Sequence, residues 1–227
     1  MRFAPCSFSK INTYLKCPRL FWFKYVKGYE EPAMPAMEFG KAVHGIIGAM
    51  IEEKRLPDLK LEFLDEKTVK LAKKMILTAQ NFLNSLSIIH EFGSELSFGL
   101  TREFQLTEFD GEDAIFHGII DYAAIIEGVD EPVQLVVDWK TGFGRNEPLQ
   151  LELYMLAFET RYPTKGAFVN LRNGNVQLIE KDEEATKEKL FDIVNQIESD
   201  EIFEPNVSSK CKKCYFKEIC QGGVSDE

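Results

Sequence analysis

The chain has 227 residues, of which 44% are hydrophobic and 28% are charged, a composition typical of a soluble globular protein with one main core. No apolar run is long enough to span a membrane, and Met1 to Ser9 lacks the apolar segment of a signal peptide. We therefore expect a cytoplasmic protein with no membrane partner. In that compartment, clustered cysteines indicate metal binding or catalysis more often than disulfides.

The net charge of −10 is unevenly distributed along the chain. Residues 1–28 contain six basic residues and no acidic one, and residues 208–217 contain four lysines and no acidic residue. If the chain ends meet in the fold, they form one basic surface on an otherwise acidic protein. Phosphate groups respond to such a local patch and not to the net charge. Lysines that only solvate two exposed segments explain the pattern equally well.

Hydrophobic periodicity predicts helices and strands in a mixed order. Two short helices are expected in residues 7–29, broken at Cys17-Pro18 because proline disfavours helix at the residue before it, with Ser7 or Ser9 as the first cap. Residues 29–39 indicate a linker. The elements expected after it are helices over 40–53 and 66–86, strands over 97–109, 114–128 and 133–141, a helix over 149–162, strands over 166–172 and 176–181, and a helix over 183–198. This order predicts an α/β core with flanking helices.

Charged residues end two of the predicted strands. Asp138 and Lys140 close one apolar strand on the same face, because side chains alternate along a strand, and Asp121 closes the strand before it. If the strands pair, Asp121 and Asp138 converge on one hard cation such as Mg²⁺ or Mn²⁺. That cation would polarise a phosphate and lower the pKa of a water molecule that Lys140 orients. Taken alone, the D-x-K triplet is more often a structural ion pair.

Three further polar residues are candidates for the same site. Gln150 and Tyr154 share one face of a predicted helix and could hold Lys140 or a phosphate. His44 follows Gly40 by four residues on another helix, and as a metal ligand it would favour Mn²⁺. Taken singly, a Gln/Tyr pair more often belongs to a solvent-exposed helix face, and a lone histidine is more often structural.

The order of these motifs resembles that of RecB-family nucleases of the PD-(D/E)XK kind. The motifs are Gly40-x-x-x-His44, Gly118-Ile-Ile-Asp121, Asp138-Trp-Lys140-Thr-Gly142 and Gln150-x-x-x-Tyr154, preceded by Ser7-x-Ser9, Tyr14, Cys17-Pro18-Arg19 and Phe21. The resemblance runs from about residue 7 to the tail. It implies a PD-(D/E)XK (restriction-endonuclease-like) core, with a mixed β-sheet flanked by helices.

The resemblance also implies a role for each matching residue. His44, Asp121 and Asp138 would be ligands of Mg²⁺ or Mn²⁺. Asp121, Asp138 and Lys140 would be catalytic, and Gln150 and Tyr154 would support them. Glu103, on the first predicted strand, is a further candidate, because acids at that position differ in role among such nucleases.

The cysteines have the spacing of a metal site. Cys211-x-x-Cys214-x5-Cys220 offers three thiolates, and either Cys6 or Cys17 could be the fourth. Spacing alone favours a four-cysteine zinc site. Cys17-Pro18-Arg19, however, resembles the first-cysteine segment of the iron–sulfur nucleases of the AddB-like and CRISPR-adaptation types. The resemblance therefore implies a 4Fe–4S cluster held by Cys17, Cys211, Cys214 and Cys220, which clips the two chain ends together and leaves Cys6 free.

These expectations divide the chain into a helical segment (1–39), a nuclease core (40–205) and a cysteine-rich segment (206–227). The expected function is that of a metal-dependent DNA exonuclease on single-stranded or end-bearing DNA, in recombination, repair or CRISPR adaptation. The alternative is a DNA-end-binding or trimming subunit, active only with a helicase, a recombinase or CRISPR integration proteins. The sequence has no Walker-type phosphate-binding motif, so another protein would have to unwind DNA. A zinc-stabilised interaction protein with an inactive nuclease core is disfavoured, because every proposed catalytic position is filled.

Overall fold

Local sequence signals determine where the first helices begin and end. In the computed structural model, which describes residues 2–32, 34–55, 65–158 and 162–220, the side chain of Ser7 accepts a hydrogen bond from Lys10 N and caps α1 (Phe8–Lys16). Pro18 begins α2 (Pro18–Phe21), which continues into the π-helical turn Trp22–Val26. The predicted break at Cys17-Pro18 is confirmed.

The next two helices form one outer layer of the fold. α3 (Pro35–Glu53) begins at Pro35, so the predicted linker over 29–39 is wrong from that residue onward. Proline is tolerated there because the first N–H groups of a helix have no partner within the helix. α4 (Glu66–Asn84) begins after Asp65, whose side chain accepts a hydrogen bond from Thr68 N.

A seven-stranded mixed sheet forms the centre of the molecule. Its path runs β3-β2-β4-β5-β6-β7, and β1 pairs in parallel with β4. The strands β4 and β5 form an antiparallel hairpin, whereas β5 and β6 are parallel and are connected through α5. The strands are β1 (Cys6–Ser7), β2 (Ile88–Leu100), β3 (Leu106–Thr107), β4 (Phe116–Ile126), β5 (Val133–Lys140), β6 (Thr164–Asn170) and β7 (Val176–Ile179), and the last two helices are α5 (Pro148–Leu156) and α6 (Glu183–Ser199). The predicted α/β core with a mixed sheet is confirmed.

The first predicted strand, over 97–109, differs most from the structure. β2 begins at Ile88 and ends at Leu100, and the chain turns before the short β3. Along β2 the register against β4 shifts twice, and Gly93 and Glu95 have positive φ angles of 118° and 50°. Such bulges remove the alternation of apolar and polar residues by which a strand is predicted.

Helices cover both faces of the sheet. Side chains of α1, α5 and α6 pack with Val136 on one face, whereas those of α3 and α4 pack with Val137 and Trp139 on the other. Because β5 alternates in this way, Asp138 and Lys140 point toward the α5 layer.

The two chain ends meet at one side of the molecule. Tyr14 donates a hydrogen bond to Asp200 Oδ2 (2.8 Å), Asn206 Nδ2 donates to Lys16 O (3.1 Å), and the rings of Phe23 and Phe216 are 5.0 Å apart. The two basic segments therefore lie side by side. The division of the chain at residues 39 and 205 stays a prediction, as does the part of the tail beyond residue 220, which lies outside the described residues.

Within the described ranges, no helix combines the length and the apolar character that crossing a membrane requires.

Candidate active site

A gap between β4 and β5 creates the site. The two strands pair only from Tyr122 opposite Val137 to Ile126 opposite Val133, while β1 pairs with the beginning of β4 along the same edge. The stretch of β4 between these pairings ends at Asp121. Its carboxylate accepts a hydrogen bond from Trp139 N at 2.7 Å, so the side chain bridges the two strands where their ladder stops.

Three side chains from three different elements converge beside this gap. Ligand atoms of His44 on α3, Glu95 on β2 and Asp121 on β4 all lie within 4.8 Å of one another. His44 Nδ1 is 3.1 Å from Asp121 Oδ1. Glu95 faces Asp121, because its neighbours Ser94 and Leu96 pair with Tyr122 and Ile120. A groove of about 320 Å³, lined in part by His44 and Glu95, opens this side of the group to solvent.

A second group of polar side chains adjoins the first. Asp138 is buried, with Lys140 Nζ 2.7 Å from its Oδ2 in an ion pair and Gln150 Nε2 donating to its Oδ1 at 2.6 Å. Lys140 donates a hydrogen bond to Gln150 Oε1 (2.8 Å), and Gln150 Nε2 lies 3.3 Å from the hydroxyl of Tyr154. Gln150 thus contacts the acid, the lysine and the tyrosine at once, which fixes all three relative to α5.

Two glycines allow the helices to approach this closely. A Cβ atom on Gly118 would lie 2.8 Å from the ring of Phe98 and 2.9 Å from Cε1 of Tyr154. A Cβ on Gly40 would lie 3.0 Å from Oγ1 of Thr141. Glycine at these positions therefore permits the close contact of α5 with β4 and of α3 with the end of β5.

Comparison with known proteins identifies the family. A family model described as the PD-(D/E)XK nuclease superfamily matches residues 5–221. The chain belongs to this superfamily. No curated protein matches the sequence. One similar solved structure, described as "Crystal structure of SSO0001", has 14% sequence identity and a TM-score of 0.44, over 95% of this chain and 86% of that chain.

Membership of the PD-(D/E)XK nuclease superfamily indicates metal-dependent hydrolysis of phosphodiester bonds, typically with Mg²⁺ or Mn²⁺. The residues present fit such an ion. The carboxylates of Glu95 and Asp121 supply oxygen donors, and the imidazole of His44 supplies a nitrogen donor, within one small region. The carboxylate of Asp138 adds negative charge nearby, and Lys140 offsets only part of it.

Burial, together with the negative charges of this PD-(D/E)XK site, shifts the pKa values of its residues. Burial, and then the charge of Asp121, raise the pKa of Asp138 to about 6 although Lys140 lowers it. Burial also raises the pKa of Glu95, again with a contribution from Asp121. For His44, burial lowers the pKa, but the hydrogen bond to Asp121 and the surrounding acids outweigh it, so the pKa is raised. A divalent cation would stabilise the charged form of both acids.

The acids that the structure brings together differ in part from those predicted. His44, Asp121, Asp138, Lys140, Gln150 and Tyr154 all lie at the site. Glu103 does not lie on a strand: it lies in an exposed turn, 3.4 Å from Thr101 Oγ1, and Glu95 lies beside Asp121 instead. The signal that could have identified Glu95 is its register opposite Asp121, which required β2 to be extended to Ile88.

The cysteines separate into one group and one isolated residue. Cys17, Cys211, Cys214 and Cys220 line one cavity of about 790 Å³ between the chain ends. Burial raises the pKa of Cys214, and the charges of the other three thiols add to that effect. Cys6 lies elsewhere, fully buried in β1, with its thiol donating to Phe3 O (3.4 Å) and its pKa raised by burial to about 11.

Proposed function

We propose that the chain is a RecB-like DNA exonuclease that acts on single-stranded or end-bearing DNA with Mg²⁺ or Mn²⁺. The observation that carries this proposal is the convergence of His44, Glu95 and Asp121 within 4.8 Å, directly beside the paired Asp138 and Lys140. The order of motifs in the sequence supports the RecB-like assignment. The open groove at His44 and Glu95 supports access by a polymer strand.

Each side chain of the site has a distinct task in this proposal. His44, Glu95, Asp121 and Asp138 hold the divalent ion, which, when bound, lowers the pKa of water and polarises the phosphate. Lys140 keeps an ammonium group beside Asp138, where it can hold the attacking water and offset charge that develops on the phosphate. Gln150 fixes the direction of Lys140 through the 2.8 Å hydrogen bond, and Tyr154 supports Gln150.

The basic surface of the chain ends supports DNA as the substrate. The cysteine cavity is lined by Lys16, Arg19, Lys210 and Lys213, and it reaches Lys41 of α3, which also lines the groove at His44. A phosphate backbone could therefore extend from the basic surface along Lys41, which also pairs with Glu38 at 3.0 Å, to the metal groove.

The test is degradation of DNA strands that carry a label at the 5′ or the 3′ end, with Mg²⁺ or Mn²⁺. We expect Asp138→Ala and Lys140→Ala to reduce the rate by about 100-fold or more, because each removes a group at the reacting phosphate. Lys165→Ala is the matched control, because Lys165 also forms an ion pair, with Glu180 at 2.9 Å, outside the site. If Asp138→Ala and Lys140→Ala retain the wild-type rate, the active site is wrongly assigned.

We also propose that Cys17, Cys211, Cys214 and Cys220 hold a 4Fe–4S cluster that joins the chain ends. The four cysteines line one cavity between the chain ends, which places them in one region of the fold. The resemblance of Cys17-Pro18-Arg19 to the first-cysteine segment of iron–sulfur nucleases supports a cubane over a zinc ion.

Anaerobically purified protein should accordingly be brown, with broad visible absorption and about four irons per chain. Cys214→Ser should lose the colour and most of the iron, whereas Cys6→Ser should retain both, because Cys6 lies in the sheet. Colourless wild-type protein with stoichiometric zinc would contradict the assignment.

A further inference from the structure

Phe143 is the most exposed aromatic side chain in the part of the chain that the structure describes, with 82% of its surface accessible. It lies three residues after Lys140, so the two Cα atoms are at most about 11 Å apart. Single exposed apolar residues are common on protein surfaces, and exposure alone indicates nothing. Phe143 is distinguished by its place three residues after the proposed catalytic lysine and by the contacts that support its loop and ring.

The loop that carries Phe143 is attached to the end of β6. Asn170 Nδ2 donates a hydrogen bond to Gly142 O (3.3 Å), and Arg172 Nε donates to Thr141 O (2.7 Å). The guanidinium carbon of Arg172 lies 4.6 Å from the centroid of the Phe143 ring. The guanidinium group of Arg172 therefore covers one face of the exposed ring. The other face is free to stack on a planar group.

Arg172 keeps donors that the fold does not use. Its Nε donates a hydrogen bond to Thr141 O, and its two terminal nitrogens have no hydrogen-bond partner among the described residues. A guanidinium group has five N–H donors, so four are left. Two parallel N–H groups match the oxygens of a phosphate.

We propose that Phe143 and Arg172 together bind one nucleotide of the substrate strand next to the scissile phosphate, which rests on the proposed nuclease function. The base stacks on the free face of Phe143, and a neighbouring phosphate binds the terminal nitrogens of Arg172. A base inside a duplex has both faces covered by its neighbours, whereas an unpaired base offers one to an aromatic side chain. The pair thus selects single strands and frayed ends.

The first test is steady-state hydrolysis of single-stranded DNA. Phe143→Ala should raise KM by about tenfold, the size expected for one base–aromatic stack, with kcat nearly unchanged. Phe143→Trp should restore the wild-type KM. The control is Val129→Ala, because Val129 is fully exposed in the turn between β4 and β5, at the opposite end of β5 from Lys140.

The second test separates stacking from a general effect of the substitution. Substrates with one abasic nucleotide, moved one position at a time from the cleaved end, should show one position that raises KM for the wild type and not for Phe143→Ala. If the wild type cleaves DNA and no position distinguishes the two proteins, the proposed stacking of a base on Phe143 is overturned, whereas the nuclease function stands. If the wild type neither binds nor cleaves DNA, the proposed function itself fails.

Discussion

The environment of Asp138 changes the pKa of its carboxyl group. It is buried beside Lys140 and close to Asp121, and burial followed by the charge of Asp121 raises its pKa from the ordinary 3.8 to about 6. In the metal-free protein, ionised Asp138 therefore opposes folding. This cost is absent below the pKa of the unfolded chain, grows between about pH 4 and 6, and is complete above the folded pKa.

Lys140→Ala should make this cost larger, because it removes the cation that stabilises ionised Asp138. In a metal-free buffer we expect the free energy of unfolding to fall by about 1–3 kcal/mol at pH 7.5, with little change at pH 4.5. Urea denaturation at the two pH values measures the difference. An equal loss at both would mean that Lys140 does not act on the charge of Asp138. Lys165, the half-buried lysine of another ion pair, provides the control variant.

At this scale the sequence predicted most of the site. His44, Asp121, Asp138, Lys140, Gln150 and Tyr154 lie in motifs of fixed order, and the structure brings them together. Glu95 escaped prediction because no local pattern distinguishes it from other acids. Its importance arises only from its position opposite Asp121 in the neighbouring strand.

At the scale of elements, the close contact between α5 and β4 depends on one missing side chain. Gly118→Ala would place a Cβ 2.8 Å from Phe98 and 2.9 Å from Tyr154. We expect a loss of about 1–3 kcal/mol in the free energy of unfolding, because the rings must move. Activity should also fall, since Tyr154 supports Gln150.

Gly45→Ala is the matched control for stability. Gly45 lies inside α3, and a Cβ there meets nothing within 4 Å. Alanine is a better helix former than glycine, so this variant should gain about 0.5–1 kcal/mol. Thermal or urea denaturation compares the two variants. If Gly118→Ala is as stable as the wild type, the packing of α5 on β4 is looser than described.

The order of elements was predictable, whereas their boundaries were predictable only where the signals are local. Ser7 at a cap, Pro18 after Cys17 and the apolar runs of β4 and β5 are such signals. The first half of β2 has no such local signal, because its bulges and polar residues interrupt the alternation of apolar and polar side chains. Pairing with β4 is what makes this segment a strand.

At the scale of the whole molecule, hydrogen bonds and aromatic packing join the chain ends independently of any cluster. Tyr14 donates to Asp200 Oδ2 at 2.8 Å. Burial raises the pKa of Asp200, but N–H groups of Phe203 and Ile202 and the hydroxyl of Tyr14 outweigh it and lower the pKa. The stabilisation is therefore present above the ordinary pKa of 3.8 and is lost as the pH falls below it.

Tyr14→Phe should reduce the free energy of unfolding by about 1–2 kcal/mol at neutral pH, because a hydrogen bond to a charged acceptor is lost. Tyr25→Phe is the control, since the hydroxyl of Tyr25 has no hydrogen-bond partner among the described residues. Chemical denaturation of the two variants measures the contrast. Equal stability of both would show that the Tyr14 contact does not join the ends.

The proposed metal site depends most on which acid completes it, and one pair of variants tests that choice directly. Glu95 lies within 4.8 Å of ligand atoms of His44 and Asp121, whereas Glu103 lies in an exposed turn beside Thr101. The measurement is the rate of Mn²⁺-supported hydrolysis of end-labelled single-stranded DNA by Glu95→Gln and Glu103→Gln. We predict that Glu95→Gln loses about 100-fold or more and that Glu103→Gln keeps the wild-type rate. Equal rates for the two variants, or a loss confined to Glu103→Gln, would contradict the site described.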